Sequence, residues 1–183
     1  MSKQMKTYIA LFRGINVGGN NLLPMKELVA VLESLGVQGI KTYIQSGNVI
    51  FRSKAADTAQ LARKIGAAIK KSHSFEPHVL LLDSVKLNKV IRENPYTKAE
   101  AVPNTLHVNF LAAIPPRPDL KALEKIRAES EQFHLAGDVL YLHAPDGIGK
   151  SKLAAGVERL LGVTMTSRNW NTVRKLKAMI VDD

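Results

Sequence analysis

The segment Tyr8–Asn21 reads YIALFRGINVGGNN, and it sets the pattern for the first half of the chain. An apolar run typical of a β-strand ends at Arg13 and gives way to a turn with three glycines and three asparagines. A glycine-rich turn at the end of a strand exposes backbone N–H groups and lets a ligand approach the main chain closely. The segment therefore predicts a strand–turn–helix unit with a polar surface beside the turn.

Hydrophobic periodicity over the remaining chain predicts two successive β-α-β-β-α-β units. In the first unit, strands are expected at 7–12, 40–44, 49–53 and 78–82, with helices after Pro24 and Asp57. In the second unit, strands are expected at 105–112, 132–135, 139–143 and 163–167, with helices after Asp119 and Ser151 and a last helix through Ile180. This order is that of the ferredoxin-like fold, so the predicted fold class is α+β, with two antiparallel sheets and a C-terminal helix.

The domain organisation follows from these elements. We predict a first ferredoxin-like unit at 1–83, a connecting helix and linker at 84–104, and a second unit with its C-terminal helix at 105–183. The connecting helix is expected to follow Asp83 and to end at Asn94, because the residue before a proline disfavours helical backbone. Four strands and two helices per unit also predict that each sheet leaves one face free for a partner.

The chain is basic, with 26 lysines and arginines against 16 acidic residues and a formal charge of +10. Residues 1–83 carry 11 basic and 5 acidic side chains, and residues 144–180 carry 7 and 2. A field of this sign favours partners that carry phosphate. A solvated, lysine-rich surface is the alternative explanation and accounts for the charge equally well.

Composition excludes several classes of chemistry. The chain has no cysteine, which rules out disulfides, thiolate catalysis and sulfur-ligated metals. The five histidines lack metal-ligand spacing, and the carboxylates form no acid–base pair, so we expect neither a metal nor a cofactor. No run reaches the roughly 18 apolar residues of a membrane span, and the N-terminus lacks a signal-peptide cleavage site. We therefore expect a cytoplasmic protein without a membrane partner.

The first turn supplies five candidate ligand-binding residues: Arg13, Gly14, Asn16, Gly18 and Gly19. Main-chain N–H groups of a bare turn before a helix can bind an anion, and an arginine can clamp phosphate or carboxylate with two hydrogen bonds. The glycine spacing differs from that of dinucleotide-binding folds. The alternative is a tight turn that needs positive φ, with the arginine simply on the surface.

Ser46 and Asn48 lie in the predicted first hairpin and are the next two candidates. Serine, glycine and asparagine are also the residues that such turns require for purely conformational reasons. The functional alternative places both side chains beside the first glycine turn. No base that would activate the serine is identifiable.

The segment 147–151, GIGKS, resembles a phosphate-binding loop but lacks part of the sequence pattern of such loops. A P-loop would need glycine at the position of Ala144, and the preceding strand belongs to a predicted antiparallel hairpin, so we reject a nucleoside-triphosphatase. Two explanations stay open: Lys150 and nearby N–H groups receive one anion, or the loop is capped by Ser151 while the lysine is solvated.

The last helix is expected to open with residues 168–172, which contribute Arg168, Asn169, Trp170 and Asn171 as candidate ligand-binding residues. Trp170 is the only tryptophan and is either a packing anchor or the wall of a pocket. A cation near a helix N-terminus opposes the helix dipole, so Arg168 is expected to have another anionic partner.

Four segments resemble a known family, the bacterial domain-of-unknown-function family 1697. They are YIALFRGINVGG at 8–19, TYIQSGNVIF at 42–51, GIGKSKL at 147–153 and TSRNWNTVRKL at 166–176. The resemblance runs in order over nearly the whole chain and implies a cytoplasmic bacterial protein built of two ferredoxin-like units. The family has no established activity, cofactor or catalytic residue, so the resemblance transfers none to this chain.

The residues favour a binding module for a phosphate-bearing ligand, either a nucleotide or a nucleic acid, held in one basic polar cleft lined by the candidates from both halves. One alternative is a small-molecule enzyme that uses positioning and hydrogen bonds instead of a metal or thiol. A second alternative is a protein-interaction module that pairs through an open sheet face. The low aromatic content of 5% argues against a typical RNA reader.

Overall fold

The computed structural model describes residues 4–181, and these residues form eight strands and six α-helices. In chain order they are β1 (Lys6–Arg13), α1 (Met25–Ser34), β2 (Gln38–Tyr43), β3 (Asn48–Ser53), α2 (Thr58–His73), β4 (His78–Asp83), α3 (Ser84–Arg92), β5 (Leu106–Leu111), α4 (Leu120–Ile126), β6 (Gln132–Ala136), β7 (Val139–His143), α5 (Lys152–Leu161), β8 (Met165–Asn169) and α6 (Trp170–Val181). Short 3-10 turns lie at Thr97–Ala101 and Ile148–Lys150.

The strands form two antiparallel sheets of the same topology. Their orders are β2-β3-β1-β4 and β6-β7-β5-β8, so the first strand of each set pairs with both the third and the fourth. With the interleaved helices, each sheet belongs to a βαββαβ unit. The predicted fold class, α+β with two such units and a C-terminal helix, is confirmed.

Four predicted helix starts are confirmed by their capping hydrogen bonds. In each, a side-chain oxygen accepts a backbone N–H of the first turn: Asp57 from Gln60 (2.8 Å), Asp83 from Lys86 (2.7 Å), Asp119 from Ala122 (2.9 Å) and Ser151 from Ala154 (2.9 Å). Each cap satisfies a donor that the helix itself leaves open and is worth about 1 kcal/mol.

The described chain divides into two compact units. Unit 1 comprises residues 4–88 and 176–181 and contains the sheet of β1 to β4 with α1 and α2. Unit 2 comprises residues 89–175 and contains the sheet of β5 to β8 with α4 and α5. The helices α3 and α6 are each divided between the units.

In each unit the two helices cover one face of the sheet with apolar side chains. The core of unit 1 includes Tyr8, Ala10, Phe12, Leu28, Leu32, Phe51, Ile65 and Ile69, and the core of unit 2 includes Leu111, Leu123, Leu140, Leu142, Leu153, Val157 and Leu161. Residues of β1 and β5 that point to these cores alternate with residues that point to the opposite face.

The opposite faces of the central strands are buried too, which corrects one prediction. Ile9 in β1 and Val108 in β5 are both 0% exposed. In unit 2, Tyr141 lies on this face and donates its hydroxyl to the carbonyl of Val90 at 2.7 Å, so the end of α3 covers part of it. The expectation that each sheet leaves a face free for a partner is therefore wrong for these strands.

The strand β8 differs most from its predicted position. The sequence predicts a strand at 163–167 and a helix that opens with Arg168, whereas β8 spans Met165–Asn169 and α6 begins at Trp170. Pairing with β5 explains the shift, since Arg168 lies opposite Val108 and Asn169 lies opposite His107. Arg168 is therefore a strand residue, and the predicted conflict with a helix dipole does not arise.

Candidate functional site

The first glycine turn is a small hairpin of its own within unit 1. Val17 and Asn20 form an antiparallel bridge, and the N–H of Asn20 donates to the carbonyl of Val17 at 3.0 Å. Gly18 and Gly19 form the tip, with φ of +58° and +76°, which is the backbone of a tight two-residue turn. Both glycines are exposed, and their N–H groups form no hydrogen bond to any residue that the structure describes.

Asn16 ties this turn to the neighbouring β2–β3 hairpin. Its Oδ1 accepts the N–H of Leu23 at 2.8 Å, and its Nδ2 donates to the carbonyls of Leu23 and Gln45 at 2.9 and 2.8 Å. Asn16 also has a φ of +54°, which asparagine tolerates better than most residues. Because both amide protons are donated to backbone carbonyls, Asn16 positions the turn.

The base of the turn is closed by further hydrogen bonds. Asn21 donates its side-chain amide to the carbonyl of Gly14 at 2.8 Å, and the N–H of Asn16 donates to the carbonyl of Asn21 at 3.1 Å. Gly14 has a φ of +75°. The loop is thus held by side-chain amides at residues where the backbone is left-handed.

Gly47 packs the hairpin turn directly against β1. The N–H of Phe12 donates to the carbonyl of Gly47 at 2.8 Å. A Cβ at Gly47 would lie 2.5 Å from Phe12 Cβ and 2.7 Å from Ile15 Cδ1, so only glycine fits. Its φ of +73° makes the same demand.

The structure brings Ser46 and Asn48 together beside this contact. Asn48 is fully buried and donates its side-chain amide to Ser46 Oγ at 2.9 Å and to the carbonyl of Tyr43 at 3.3 Å. Asn48 lies opposite Leu11, so it is on the same face of the sheet as Arg13, two residues further along β1. We call residues 13–23 and 44–48 together the glycine-turn end of unit 1.

The glycine-turn end carries positive charge without a carboxylate in its segments. Arg13 is exposed at the end of β1, and no aspartate or glutamate precedes Glu27 in the chain or lies within 35–56. Glu27 itself is paired with His73, whose Nε2 lies 2.6 Å from its carboxylate. All seven candidate residues of the first half lie in this end, as in the alternative that places Ser46 and Asn48 beside the first glycine turn.

Ile44 also lies at this end and is not among the predicted site residues. It has a φ of +50°, and its side chain is 52% exposed. A β-branched residue in the left-handed region is an outlier that costs of order 1–3 kcal/mol. The only signal in the sequence was its place directly before a turn.

The glycine segment of unit 2 is built more simply. Gly147 has a φ of +94° and leads into one 3-10 turn, after which Ser151 caps α5. Lys150 is exposed. The preceding strand β7 pairs with β6 in an antiparallel hairpin, which confirms the argument against a P-loop.

The four candidates around the start of α6 have four different environments. Arg168 donates from Nη1 to the carbonyl of Ser167 at 2.8 Å, and burial lowers the pKa of its guanidinium to about 10. Asn169 accepts the N–H of Thr172 at 3.0 Å and so caps α6. Trp170 is 1% exposed, with no hydrogen-bond partner for Nε1 among the described residues, whereas Asn171 is exposed.

Unit 2 also contains a buried histidine that is not among the predicted site residues. His107 in β5 is 7% exposed, and its Nδ1 has no hydrogen-bond partner among the described residues. Burial lowers its pKa to about 4, because the charged ring cannot be solvated there. The strand pattern predicted that His107 lies in β5, but it did not show that both faces of this strand are buried.

Within residues 4–181 there is no group of three or more histidine, aspartate or glutamate side chains placed to hold a metal ion. In the same residues, no helix combines the length and apolar character needed to cross a lipid bilayer.

Comparison with known proteins places the fold and the family. The conserved bacterial protein SP0830 of Streptococcus pneumoniae has a similar structure, with a TM-score of 0.72 and 24% identity over 97% of this chain and 99% of that one. Among curated proteins, none matches the sequence. The family DUF1697, described as "Protein of unknown function", matches residues 5–141, a range that includes the whole glycine-turn end and stops before the glycine segment of unit 2. The chain belongs to the DUF1697 family.

Proposed function

We propose that the protein binds a phosphate-bearing ligand at the glycine-turn end of unit 1. One observation carries the proposal: two separate segments are locked together so that Arg13 and the unbonded N–H groups of Gly18 and Gly19 are exposed, with no carboxylate in either segment. We also propose that the protein is cytoplasmic, as expected from the sequence.

The chemistry fits an oxyanion. Backbone N–H groups in a left-handed turn are donors of fixed direction, and an arginine can give two parallel hydrogen bonds to phosphate. The hydrogen bonds of Asn16 and the close packing of Gly47 hold the loop before a ligand arrives. Binding then loses less conformational freedom than it would with a mobile loop.

The surrounding charge supports the same ligand class. Lys26 at the start of α1 is exposed, and Lys41 in β2 lies on the same sheet face as Ile50, which is the face of Arg13. Several like charges on one end attract an anion over distance, and salt screens that attraction. We therefore expect affinity to fall as ionic strength rises.

The second group of candidates, Lys150, Arg168, Asn169, Trp170 and Asn171, stays a prediction. A double-mutant cycle tests whether it contributes to the same ligand. If the losses of affinity in Arg13→Gln and Arg168→Gln are additive, the two arginines act independently, and a coupling above about 0.5 kcal/mol supports one shared ligand.

The test is a thermal-shift screen with inorganic phosphate, mononucleotides and short oligonucleotides over a salt series. We expect at least one phosphate compound to raise Tm at low salt, and the rise to disappear in Arg13→Gln. Arg52→Gln is the matched control, because Arg52 lies on the same sheet face at the opposite end of the strands, beside Thr7. No stabilisation by any phosphate compound at low salt, or equal loss in both variants, would overturn the proposal.

A further inference from the structure

Three aliphatic side chains project into solvent around the first glycine turn. Val17, Leu22 and Ile44 are 63%, 64% and 52% exposed. They come from both segments of the glycine-turn end. Each directly precedes or follows one of three residues joined by hydrogen bonds, which are Asn16, Leu23 and Gln45. Asn16 is bonded to Leu23 and Gln45, and consecutive Cα atoms lie only about 3.8 Å apart. The Cα atoms of the three residues therefore lie close together at the glycine-turn end.

The backbone conformation of Ile44 is energetically unfavourable for a β-branched residue. Its φ of +50° suits glycine or asparagine, and the branched Cβ raises the conformational energy of the backbone. The residue is 52% exposed, so packing within unit 1 offsets little of that energy. Strain of this kind is concentrated at sites of binding, where the side chain is needed for a contact outside the fold.

We infer that Val17, Leu22 and Ile44 form an apolar wall for the base of a nucleotide, whose phosphate lies toward Arg13. This inference rests on the proposed function and names the ligand class within it. A nucleotide joins a flat base, with two apolar faces, to an anionic group, which matches an aliphatic patch beside a basic loop. The charge complementarity comes from the same segments, which hold Arg13 and no carboxylate.

The size of the wall favours a mononucleotide over a nucleic-acid strand. Three side chains can cover one base, whereas a strand is held by a row of stacking platforms along a charged groove, most of them aromatic. The three wall residues are aliphatic. We therefore expect the base to add about tenfold to affinity, and longer oligonucleotides to add little more.

The experiment is a calorimetric titration at low salt with inorganic phosphate, ribose 5-phosphate, AMP, UMP and an oligonucleotide. For the wild-type protein we expect AMP or UMP to bind at least tenfold more tightly than ribose 5-phosphate. In Ile44→Asn that ratio is expected to fall below about threefold, while affinity for ribose 5-phosphate is unchanged. Because asparagine accepts the left-handed backbone, the variant should also gain about 2–4 °C in Tm.

Ile114→Asn is the matched control, since Ile114 is a 70% exposed aliphatic residue in a loop of unit 2 and should leave all affinities unchanged. Equal binding of AMP, UMP and ribose 5-phosphate to the wild type overturns the base wall but leaves the proposed function standing. If no phosphate compound binds, both fail. An oligonucleotide that binds more than tenfold better than AMP, with the gain lost in Ile44→Asn, overturns the mononucleotide in favour of a strand.

Discussion

The two β-hairpins occupy equivalent places in the two units, yet they are built differently. In unit 1, the turn between β2 and β3 is enclosed: Gly47 packs against Phe12, and Gln45 is bonded to the side chain of Asn16. In unit 2, the turn between β6 and β7 is open, and a Cβ at Gly137 would meet nothing within 4 Å. Both turns satisfy the topology, so the extra contacts in unit 1 exceed what the topology requires.

The difference indicates what the enclosed hairpin does. Its contacts reach the loop after β1, and they fix that loop in a left-handed conformation at four positions between Gly14 and Gly19. The corresponding segment after β5 forms no such side-chain hydrogen bonds to residues that the structure describes. Its sequence, AAIPPRP, is stiffened by prolines instead. We conclude that unit 1 uses side-chain hydrogen bonds to hold an exposed loop, and that unit 2 repeats the topology without that feature.

The largest effect on stability should come from replacing glycine by alanine in the enclosed hairpin of unit 1, and the same replacement in unit 2 is the control. Gly47→Ala places Cβ inside contact distance of Phe12 and Ile15 and forces a left-handed alanine, so we expect a loss of about 3–4 kcal/mol of unfolding free energy. Gly137→Ala keeps the positive φ but meets no atom, and should cost only about 1 kcal/mol. Urea unfolding followed by circular dichroism measures both. Equal losses would remove the contrast between the hairpins.

The next effect is confined to unit 2 and depends on pH. The folded pKa of His107 is about 4, below its ordinary 6.5, so the unfolded chain binds more protons between these values and stability falls as pH decreases through that window. The full effect is about 3 kcal/mol, of which about 2 kcal/mol is expected between pH 7 and pH 5. His107→Leu should remove this difference.

The measurement is urea unfolding at both pH values followed by the fluorescence of Trp170, the only tryptophan and a buried residue of unit 2. His134→Leu is the control, because His134 is exposed on β6. If His107→Leu keeps the same pH dependence as the wild type, burial does not lower the folded pKa of His107.

Removing the clamp tests unit 1 with a smaller effect. Asn16→Ala deletes three hydrogen bonds to backbone groups and replaces an asparagine at positive φ, so we expect a loss of about 2 kcal/mol. The control is Asn20→Ala, because the side chain of Asn20 makes one long contact of 3.5 Å to Gly18. Amide hydrogen exchange should show faster exchange across 14–23 in Asn16→Ala alone. Unchanged exchange there would mean that packing, not the amide, holds the loop.

The smallest effect concerns the glycine segment of unit 2. Ser151→Ala removes the cap of α5 and should cost about 1 kcal/mol, as measured by Trp170 fluorescence during urea unfolding. Ser151→Asp keeps an acceptor at the same place and should recover most of that loss. A loss well above 2 kcal/mol in Ser151→Ala would show that this segment is held by more than its cap.

Local signals predicted most of the fold. A few neighbouring residues were enough to identify each capping residue, because a cap accepts the N–H of the residue three positions later. These residues are Asp57, Asp83, Asp119 and Ser151. The hairpins followed from strand-like runs separated by turn residues. These features needed no knowledge of which segments meet in space.

The features that failed or were missed depend on distant partners. The register of β8 is fixed by pairing with β5, more than fifty residues earlier, and the periodicity of 163–169 alone did not reveal it. The hydrogen bond of Asn16 to Gln45 spans 29 residues, and the place of Ile44 before a turn does not by itself predict its positive φ. Composition and motifs thus located the candidate site, while its geometry came from contacts between segments.

The central claim is that the glycine tip after β1 receives an anion. The most direct measurement is a two-dimensional N–H NMR titration of the whole chain with AMP at low salt. We expect the amide signals of Gly18 and Gly19 to move most and Arg13→Gln to reduce these movements greatly. Signals that move most around Gly149 in unit 2, or an equal response in Arg13→Gln, would contradict it.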